Sequence, residues 1–356
     1  ADELFAQEAL RTALCRGGLQ RAPLQRAPSQ STGIYRDTSE GPHAPPAGGL
    51  PPAFEARALG HEYGRGRPDS LVALDDISLS VPAGSSLALV GSSGSGKSTL
   101  LYHCNAILLA TRGCAAIHGQ NPRDRRVDTS ALRRRATLAV QEAESALFMR
   151  LVADEIAAGA AGAVDAAALG GAKGLSASKR KKERQRAIRQ RVRTAMETLG
   201  LESRAFWDRR IASLSGGEKR KVALAASLAM DGDLVLLDEP GAALDGASAL
   251  ALHELMARLC SSGKTLIVST HSMEEAALCD YLAVLEGGRL CAIGPARELF
   301  GALWRPEWGL PRPWAARVMA RLEELLAQGP ESPCRGPLPL PLNPAELIEM
   351  LSSLMT

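Results

Sequence analysis

The chain contains no run approaching 18 strongly apolar residues anywhere in its 356, so no segment of it is written to cross a bilayer as a helix. It also lacks a surplus of either charge. The formal net charge is +3, too small to argue for a nucleic-acid partner. Its first residues carry acids at Asp2, Glu3 and Glu8 and no apolar stretch follows, so these residues are not expected to be a secretory leader. The 7 cysteines are odd in number and include no C-x-x-C pair. A disulfide frame or a cysteine-held metal is therefore not indicated, and reduced thiols in a cytoplasm are. What the chain does have is an apolar content of 46%, ample for a core, and a length that suits one domain with extensions.

Two stretches carry the chemistry. Gly91-Ser92-Ser93-Gly94-Ser95-Gly96-Lys97-Ser98-Thr99 follows the apolar Leu87 to Val90 and leads into the helix-like Leu100-Leu101-Tyr102. That is the G-x-x-x-x-G-K-[ST] phosphate loop in its strand-to-helix setting. Its glycines let successive N–H groups and a helix N-terminus face a polyphosphate. Lys97 is expected to reach the β- and γ-phosphates and the Ser98 hydroxyl to meet Mg²⁺. Further on, Leu214-Ser215-Gly216-Gly217-Glu218 precedes Leu234-Val235-Leu236-Leu237-Asp238-Glu239-Pro240. Four consecutive aliphatics predict a strand buried on both faces at the centre of a parallel sheet. Asp238 ends that strand where a carboxylate can hold Mg²⁺ through water, and Glu239 beside it can polarise an attacking water.

Loop, signature and paired acids in this order resemble the ATPase subunit of an ABC transporter, over about residues 54 to 300. The resemblance implies an α/β P-loop NTPase fold: a mainly parallel core sheet, an antiparallel β subdomain and a helical subdomain at about 142–230, followed by a small C-terminal helical domain at 301–356. It implies ATP and Mg²⁺ as ligands, with Ser215, Gly216, Gly217 and Glu218 as the signature that binds nucleotide. Gln141, after the strand-like Ala136 to Val140, matches the Q-loop glutamine that senses γ-phosphate and Mg²⁺. Ala243-Leu244-Asp245 matches the D-loop, and His271, after Leu266-Ile267-Val268, matches the switch histidine. Tyr63 occupies the place of the adenine-stacking aromatic, a contact worth about 1–3 kcal/mol. Gly241 departs from the family's usual Thr after the Walker B proline, a change expected to be tolerated because that residue is not a ligand.

Residues 17 to 52 are rich in Pro, Gly, Ser and Arg and contain a five-residue echo, Leu19-Gln20-Arg21-Ala22-Pro23 and Leu24-Gln25-Arg26-Ala27-Pro28. Residues 1–53 are accordingly expected to be a flexible extension or linker. Strands are expected at Phe54 to Leu59 and Ile77 to Val81, an Ala-rich helical region over 150 to 213, and a hairpin joining Tyr281–Leu285 to Arg289–Ile293. Between Lys173 and Arg193 lie ten basic residues against one acid, Glu183. That cluster reads as a solvated insertion or as a surface drawn to anionic lipid headgroups.

Within the ABC group, Leu100 to Leu108 with Asn105, the run Gln141-Glu142-Ala143-Glu144-Ser145-Ala146-Leu147-Phe148, and Glu218-Lys219-Arg220 are similar to energy-coupling-factor (ECF) ATPases. The tail adds to this. A helix is predicted with Trp314, Val318, Leu322 and Leu326 on one stripe, and a second starts at Asn343-Pro344-Ala345-Glu346 and buries Leu347, Ile348, Leu351 and Leu354. This looks like the C-terminal helical domain that supports ATPase pairing in that family. The resemblance implies a head-to-tail pair, with itself or a paralogue, at the cytoplasmic face of a membrane. It also implies a membrane T component and a substrate-binding S component for cobalt, nickel, biotin or another vitamin. Ala1-Asp2-Glu3-Leu4-Phe5-Ala6 echoes Ala296-Arg297-Glu298-Leu299-Phe300-Gly301, which is either chance or the tail of an ATPase domain fused upstream. The alternatives are the ATPase of another ABC transporter, or a non-transport ABC ATPase. Against the DNA-acting kind, no long heptad insertion separates loop and signature.

Overall fold

A computed structural model describes residues 51–140, 147–168, 176–242, 244, 246–327 and 340–355. The expected linker up to residue 50, both terminal echoes within it, Gln141, Ala243 and Asp245 lie outside the described residues. In chain order the strands are β1 (Phe54–Tyr63), β2 (Leu71–Val81), β3 (Ser86–Val90), β4 (Arg112–Ile117), β5 (Ala136–Ala139), β6 (Leu234–Asp238), β7 (Thr265–Ser269), β8 (Tyr281–Glu286) and β9 (Arg289–Pro295). The helices are α1 (Lys97–Cys104), α2 (Thr129–Arg135), α3 (Val152–Ala168), α4 (Ala177–Thr198), α5 (Ser203–Phe206), α6 (Gly216–Ala229), α7 (Gly246–Ser261), α8 (Met273–Ala276), α9 (Ala296–Phe300), α10 (Trp314–Ala327) and α11 (Pro344–Met355). No helix among the described residues is long and apolar enough to cross a membrane.

Two sheets result. The smaller is antiparallel with the order β2-β1-β4. The larger has the order β5-β6-β7-β3-β8-β9 and is parallel except for the β8–β9 hairpin. The aliphatic run predicted to be buried on both faces is so. Leu234 and Leu236 join the core shared with the antiparallel sheet and α1, whereas Val235 and Leu237 join the core under the helices. Leu87 and Leu89 of β3 take the first face, and Ala88 and Val90 the second. Apolar residues at every position are what a sheet covered by two layers requires. At about 1.5–3 kcal/mol for each large side chain buried, these central strands form a firm platform. The phosphate loop, Asp238-Glu239 and His271 all leave from its carboxyl edge.

The Ala-rich region is helical, as expected, and its composition has a packing reason. α3 passes so close to α6 that a β-carbon on Gly159 would lie 2.2 Å from the Ala226 carbonyl oxygen.

The tail holds the predicted helices but corrects their faces. Ala315, Met319 and Leu322 of α10 pack with Leu347 of α11, while Val318 flanks them and Trp314 is half exposed. Ile348, expected inside, is 64% exposed, because it sits about 100° round the helix from Leu347. The side chains of Leu326 and Leu354 lie outside the described residues. The start signal of α11 holds: Asn343 Oδ1 accepts from Glu346 N at 2.9 Å, and Asn343 Nδ2 donates to Glu346 Oε1 at 2.9 Å. Arg297 ties α11 to α9 through Glu346 at 2.9 and 3.0 Å.

In an isolated helix Gly→Ala gains roughly 1 kcal/mol. At Gly159 the added methyl group meets a backbone carbonyl that cannot swing away. Gly159→Ala is therefore expected to lower stability by about 1–3 kcal/mol, seen as a lower urea midpoint; a raised midpoint would show that α3 and α6 separate freely.

Candidate functional site

The phosphate loop is shaped by backbone that only glycine accommodates. Gly96 has φ +101, and a β-carbon there would lie 2.8 Å from the Ala73 carbonyl oxygen. The loop feeds directly into α1, whose first residue is Lys97. Lys97 is buried, and its Nζ donates to the carbonyls of Gly91 at 2.9 Å and Ser92 at 3.1 Å. Burial lowers the Lys97 pKa, and the Glu239 and Asp238 carboxylates oppose that shift. Ser95 Oγ is buried in the loop, while Ser93 and Gly94 lie at its exposed turn.

Ser98, one residue into α1, reaches across to the end of β6: its Oγ donates to Asp238 Oδ1 at 3.0 Å. The same oxygen receives the Ser269 hydroxyl from the end of β7 at 2.5 Å. A hydroxyl and a carboxylate meeting at one point suit a hard cation. Among the described residues no group of three or more His, Cys, Asp or Glu could hold a metal by itself. Mg²⁺ fits such a place, since it binds through one or two carboxylates, waters and substrate phosphates.

Glu239 has φ +50, a left-handed conformation that costs a non-glycine residue about 1–2 kcal/mol. Ser269 holds it there, because the Glu239 amide donates to the Ser269 carbonyl at 3.0 Å and lies 3.2 Å from its hydroxyl. The turn aims Glu239 Oε1 to within 3.0 Å of His271 Nε2, which is 3.3 Å from Lys97 Nζ. That nitrogen can donate to the carboxylate or accept from the ammonium, not both, so the imidazole tautomer decides which neighbour it serves.

Tyr63, at the end of β1, is 38% exposed and its hydroxyl lies 3.2 Å from Thr99 Oγ1. The ring is thereby placed beside the phosphate loop. His61 meets it edge-on with centroids 4.5 Å apart, and His103 lies behind His61 at 4.9 Å. Burial, reinforced by the neighbouring His61, pushes the His103 pKa down to about 4.

The signature caps α6. Ser215 Oγ accepts from Glu218 N at 3.3 Å, and Glu218 Oε2 accepts from Ser215 N at 2.7 Å. Arg209 also holds the Glu218 carboxylate, at 2.8 Å. The Ser215 amide first, then Arg209 and the Ser215 hydroxyl, lower the Glu218 pKa. Gly216 and Gly217 remain exposed. Among the described residues, no polar contact of Ser215–Glu218 reaches the phosphate loop. Lys97, Ser98, Asp238, Glu239 and His271 are thus brought together, with Tyr63 and Thr99 adjoining them, while the signature stands elsewhere and Gln141 lies outside the described residues.

Sequence reasoning missed Ser269, Thr270 and Glu275. Thr270 Oγ1 donates to the buried Glu275 Oε2 at 2.6 Å; burial raises the Glu275 pKa, with Thr270 opposing and Glu239 adding to the rise. The available signal was a Ser-Thr pair closing an apolar strand directly before His271. Glu275 also changes the meaning of Gly241: a β-carbon at residue 241 would lie 1.7 Å from Glu275 Oε1. A side chain there requires the Glu275 carboxyl, which the Thr270 hydroxyl holds, to move.

The family described as ABC transporter matches residues 74–242. The chain is 35% identical to the energy-coupling factor transporter ATP-binding protein EcfA2 of Symbiobacterium thermophilum, over 77% of this chain and 89% of that one. It is 37% identical to the cobalt import ATP-binding protein CbiO of Rhodobacter capsulatus, over 69% of this chain and 80% of the relative. Among solved structures, cbiO1 from Clostridium perfringens, part of the ABC transporter complex cbiONQ, superposes with a TM-score of 0.58 at 25% identity, covering 77% of this chain and 97% of that one.

Gly241→Thr is expected to destabilise the protein by about 1–3 kcal/mol through overpacking, measured by urea unfolding. Glu275→Ala in the same chain should recover part of that loss, and strict additivity of the two changes would refute the steric account. Folding also keeps His103 neutral down to about pH 4, whereas an unfolded imidazole protonates near 6.5. The unfolded chain therefore binds the extra proton first, and stability falls as pH drops from about 6.5 towards 4. His103→Phe should flatten that limb of the stability profile.

Proposed function

The chain belongs to the ABC transporter ATP-binding proteins, and from that premise we propose that it hydrolyses ATP as the motor subunit of an energy-coupling-factor importer. The junction at Glu239 carries the chemical reading: a residue whose amide is held by Ser269, with its carboxylate 3.0 Å from His271 and beside the Lys97 ammonium. In this reading Tyr63 stacks on adenine, and Gly91 to Thr99 wrap the phosphates with backbone N–H groups. Lys97 offsets charge on the β- and γ-phosphates. Ser98, Asp238 and Gln141 would hold Mg²⁺, which supplies further positive charge where the phosphoryl oxygens become more negative. Glu239 accepts a proton from the attacking water, oriented for that by a hydrogen bond from His271. A hydroxide so generated attacks in line with the departing ADP oxygen.

The second half of each site comes from another ATPase subunit, a copy or a paralogue. Its Ser215-Gly216-Gly217-Glu218 segment presents a capped helix N-terminus to the nucleotide. The transport partners are a membrane T component and an S component carrying cobalt, nickel or a vitamin, which places this subunit at the cytoplasmic face. The similarity to EcfA2 and CbiO over most of both chains supports that assignment. An open groove of about 410 Å³ supports it too; it is lined by Leu147, Met149, Arg150, Arg210, Ile211, Ala212 and Lys219. Phe148 stands beside it, 76% exposed, and exposed apolar surface of this kind marks contact sites.

Glu239→Gln keeps the shape of the side chain but removes its basicity. Turnover is expected to fall at least about 100-fold while Mg·ATP binding persists, measured by phosphate release and by titration of a fluorescent ATP analogue. Wild-type turnover in that variant would remove Glu239 from its role. Hydrolysis per chain should also rise with protein concentration, and a rate independent of dilution down to the monomer would contradict the composite site.

A further inference from the structure

Helix α4 is longer than its packing requires. Only its C-terminal half contributes to the core, through Val192, Ala195 and Met196, with Ile188 packed against them. Residues 177–187 are exposed on every side. A polar, unsupported stretch of three turns has little reason to be helical alone, so its surface chemistry is informative.

Six of the nine basic side chains of α4 divide by face; Arg180 and Lys181 lie off the stripe, and Arg193 lies over the Trp207 ring at 5.9 Å. Arg184 pairs with Asp165 of α3 at 2.5 Å, and Arg191 pairs with Asp231 at 2.8 Å. These two lie on one flank. Lys179, Lys182, Arg186 and Arg189 recur at spacings of three and four, which gathers them within about 80° of arc, roughly opposite the paired arginines. The four span about 15 Å along the axis. None of them makes an ion pair among the described residues. All four are exposed.

We infer that this stripe is a peripheral attachment to an anionic lipid surface, set beside the transporter that the subunit drives. A straight row of cations matches a flat sheet of phosphates, and basic residues near such a surface each gain affinity of about fivefold. The stripe carries no aromatic side chain on which bases could stack, unlike surfaces that hold single-stranded nucleic acid. The exposed turns offer only Ala177 and Ala187 as apolar groups, so the helix lies on the headgroups and does not insert. The choice of lipid over other polyanions rests on the membrane placement proposed above; the surface itself does not.

The purified full-length chain is mixed with vesicles of phosphatidylcholine containing about one third phosphatidylglycerol, and with vesicles of phosphatidylcholine alone, without nucleotide. The partition between pellet and supernatant is measured at low salt. Binding is expected to the anionic vesicles only and to be reversed by raised salt, because the attraction is screened beyond about 10 Å at 0.1 M. Replacing Lys179, Lys182, Arg186 and Arg189 together by Gln should weaken it at least tenfold. The same charge change at Arg123, Arg125, Arg126 and Arg305 should leave most of it. The pair Lys179→Gln and Lys182→Gln, in turns that touch no core, should give an intermediate loss and guards against misfolding of the fourfold variant. Equal binding to neutral vesicles, no effect of the stripe variants, or an equal loss in the control would each overturn the inference. Duplex DNA that strips the protein from vesicles at matched phosphate would also overturn it, reassigning the stripe to a polynucleotide. Because the assay uses no ATP, it can fail while the Glu239 turnover test succeeds, and the reverse.

Discussion

Asp238 and Ser269 stand opposite each other at the carboxyl ends of two neighbouring parallel strands, and that register determines the rest of the candidate site. From it follow the Ser269 hydroxyl on Asp238, the amide of Glu239 held by Ser269, and the arrival of His271 beside the Glu239 carboxylate. A slip of one residue would exchange the two faces of a strand. In β6 it would leave the buried aliphatic rows intact in composition yet carry Leu237 to where Asp238 stands. The partner's alternation opposes this: Ile267 shares a core with Leu236, and Leu266 and Val268 share the other with Val235 and Leu237. Hydrophobic burial far from any reacting atom thus sets polar distances of about an ångström's tolerance.

The charge balance of the pocket follows from the same crowding. Asp238 and Glu239 are nearly buried, and Lys97 lies among them with little access to water. Glu275 is a third carboxyl nearby, and burial first, then the Glu239 and Glu274 carboxylates, raise its pKa against the opposing Thr270 hydroxyl. One ammonium beside these acids leaves a place that a divalent cation would neutralise. A lone polyphosphate would meet repulsion from the carboxylates. In the proposed reading, a metal–polyphosphate complex suits this charge balance better than either part alone.

Much of this was readable in residues. The Gly-rich loop, the aliphatic run before Asp238 and the apolar strand before His271 are strong patterns because both faces of the sheet are buried. β4 was not anticipated, since Arg112-Gly113-Cys114-Ala115-Ala116-Ile117 has only one strongly strand-forming residue and owes its shape to pairing with β1. Ser269 and Glu275 escaped because their importance is spatial: hydroxyls and acids are common near strand ends, and only the fold shows that one reaches Asp238 and the other fills the space above Gly241. The tail shows the opposite error. Its helices were evident from period and cap, and Leu322 and Val318 lie on the packed face of α10 as expected, but Trp314 is half exposed and Ala315 and Met319 are buried beside them.

The signature explains why one chain is an incomplete machine in the proposed reading. Glu218 is acidic, and a free carboxylate would repel a nucleotide arriving at α6. Its oxygens are instead bound by the Ser215 amide and by Arg209, which leaves the exposed N–H end of α6, at Gly216 and Gly217, to present positive potential outward. That end is made to receive an anion, yet its own polar contacts turn back on the helix and on Arg209, and among the described residues none extends to Lys97 or Ser98. In that reading the polypeptide carries two complementary halves of a phosphate site in separate places, and another ATPase, offering its loop to this signature and its signature to this loop, would let both halves act on one nucleotide.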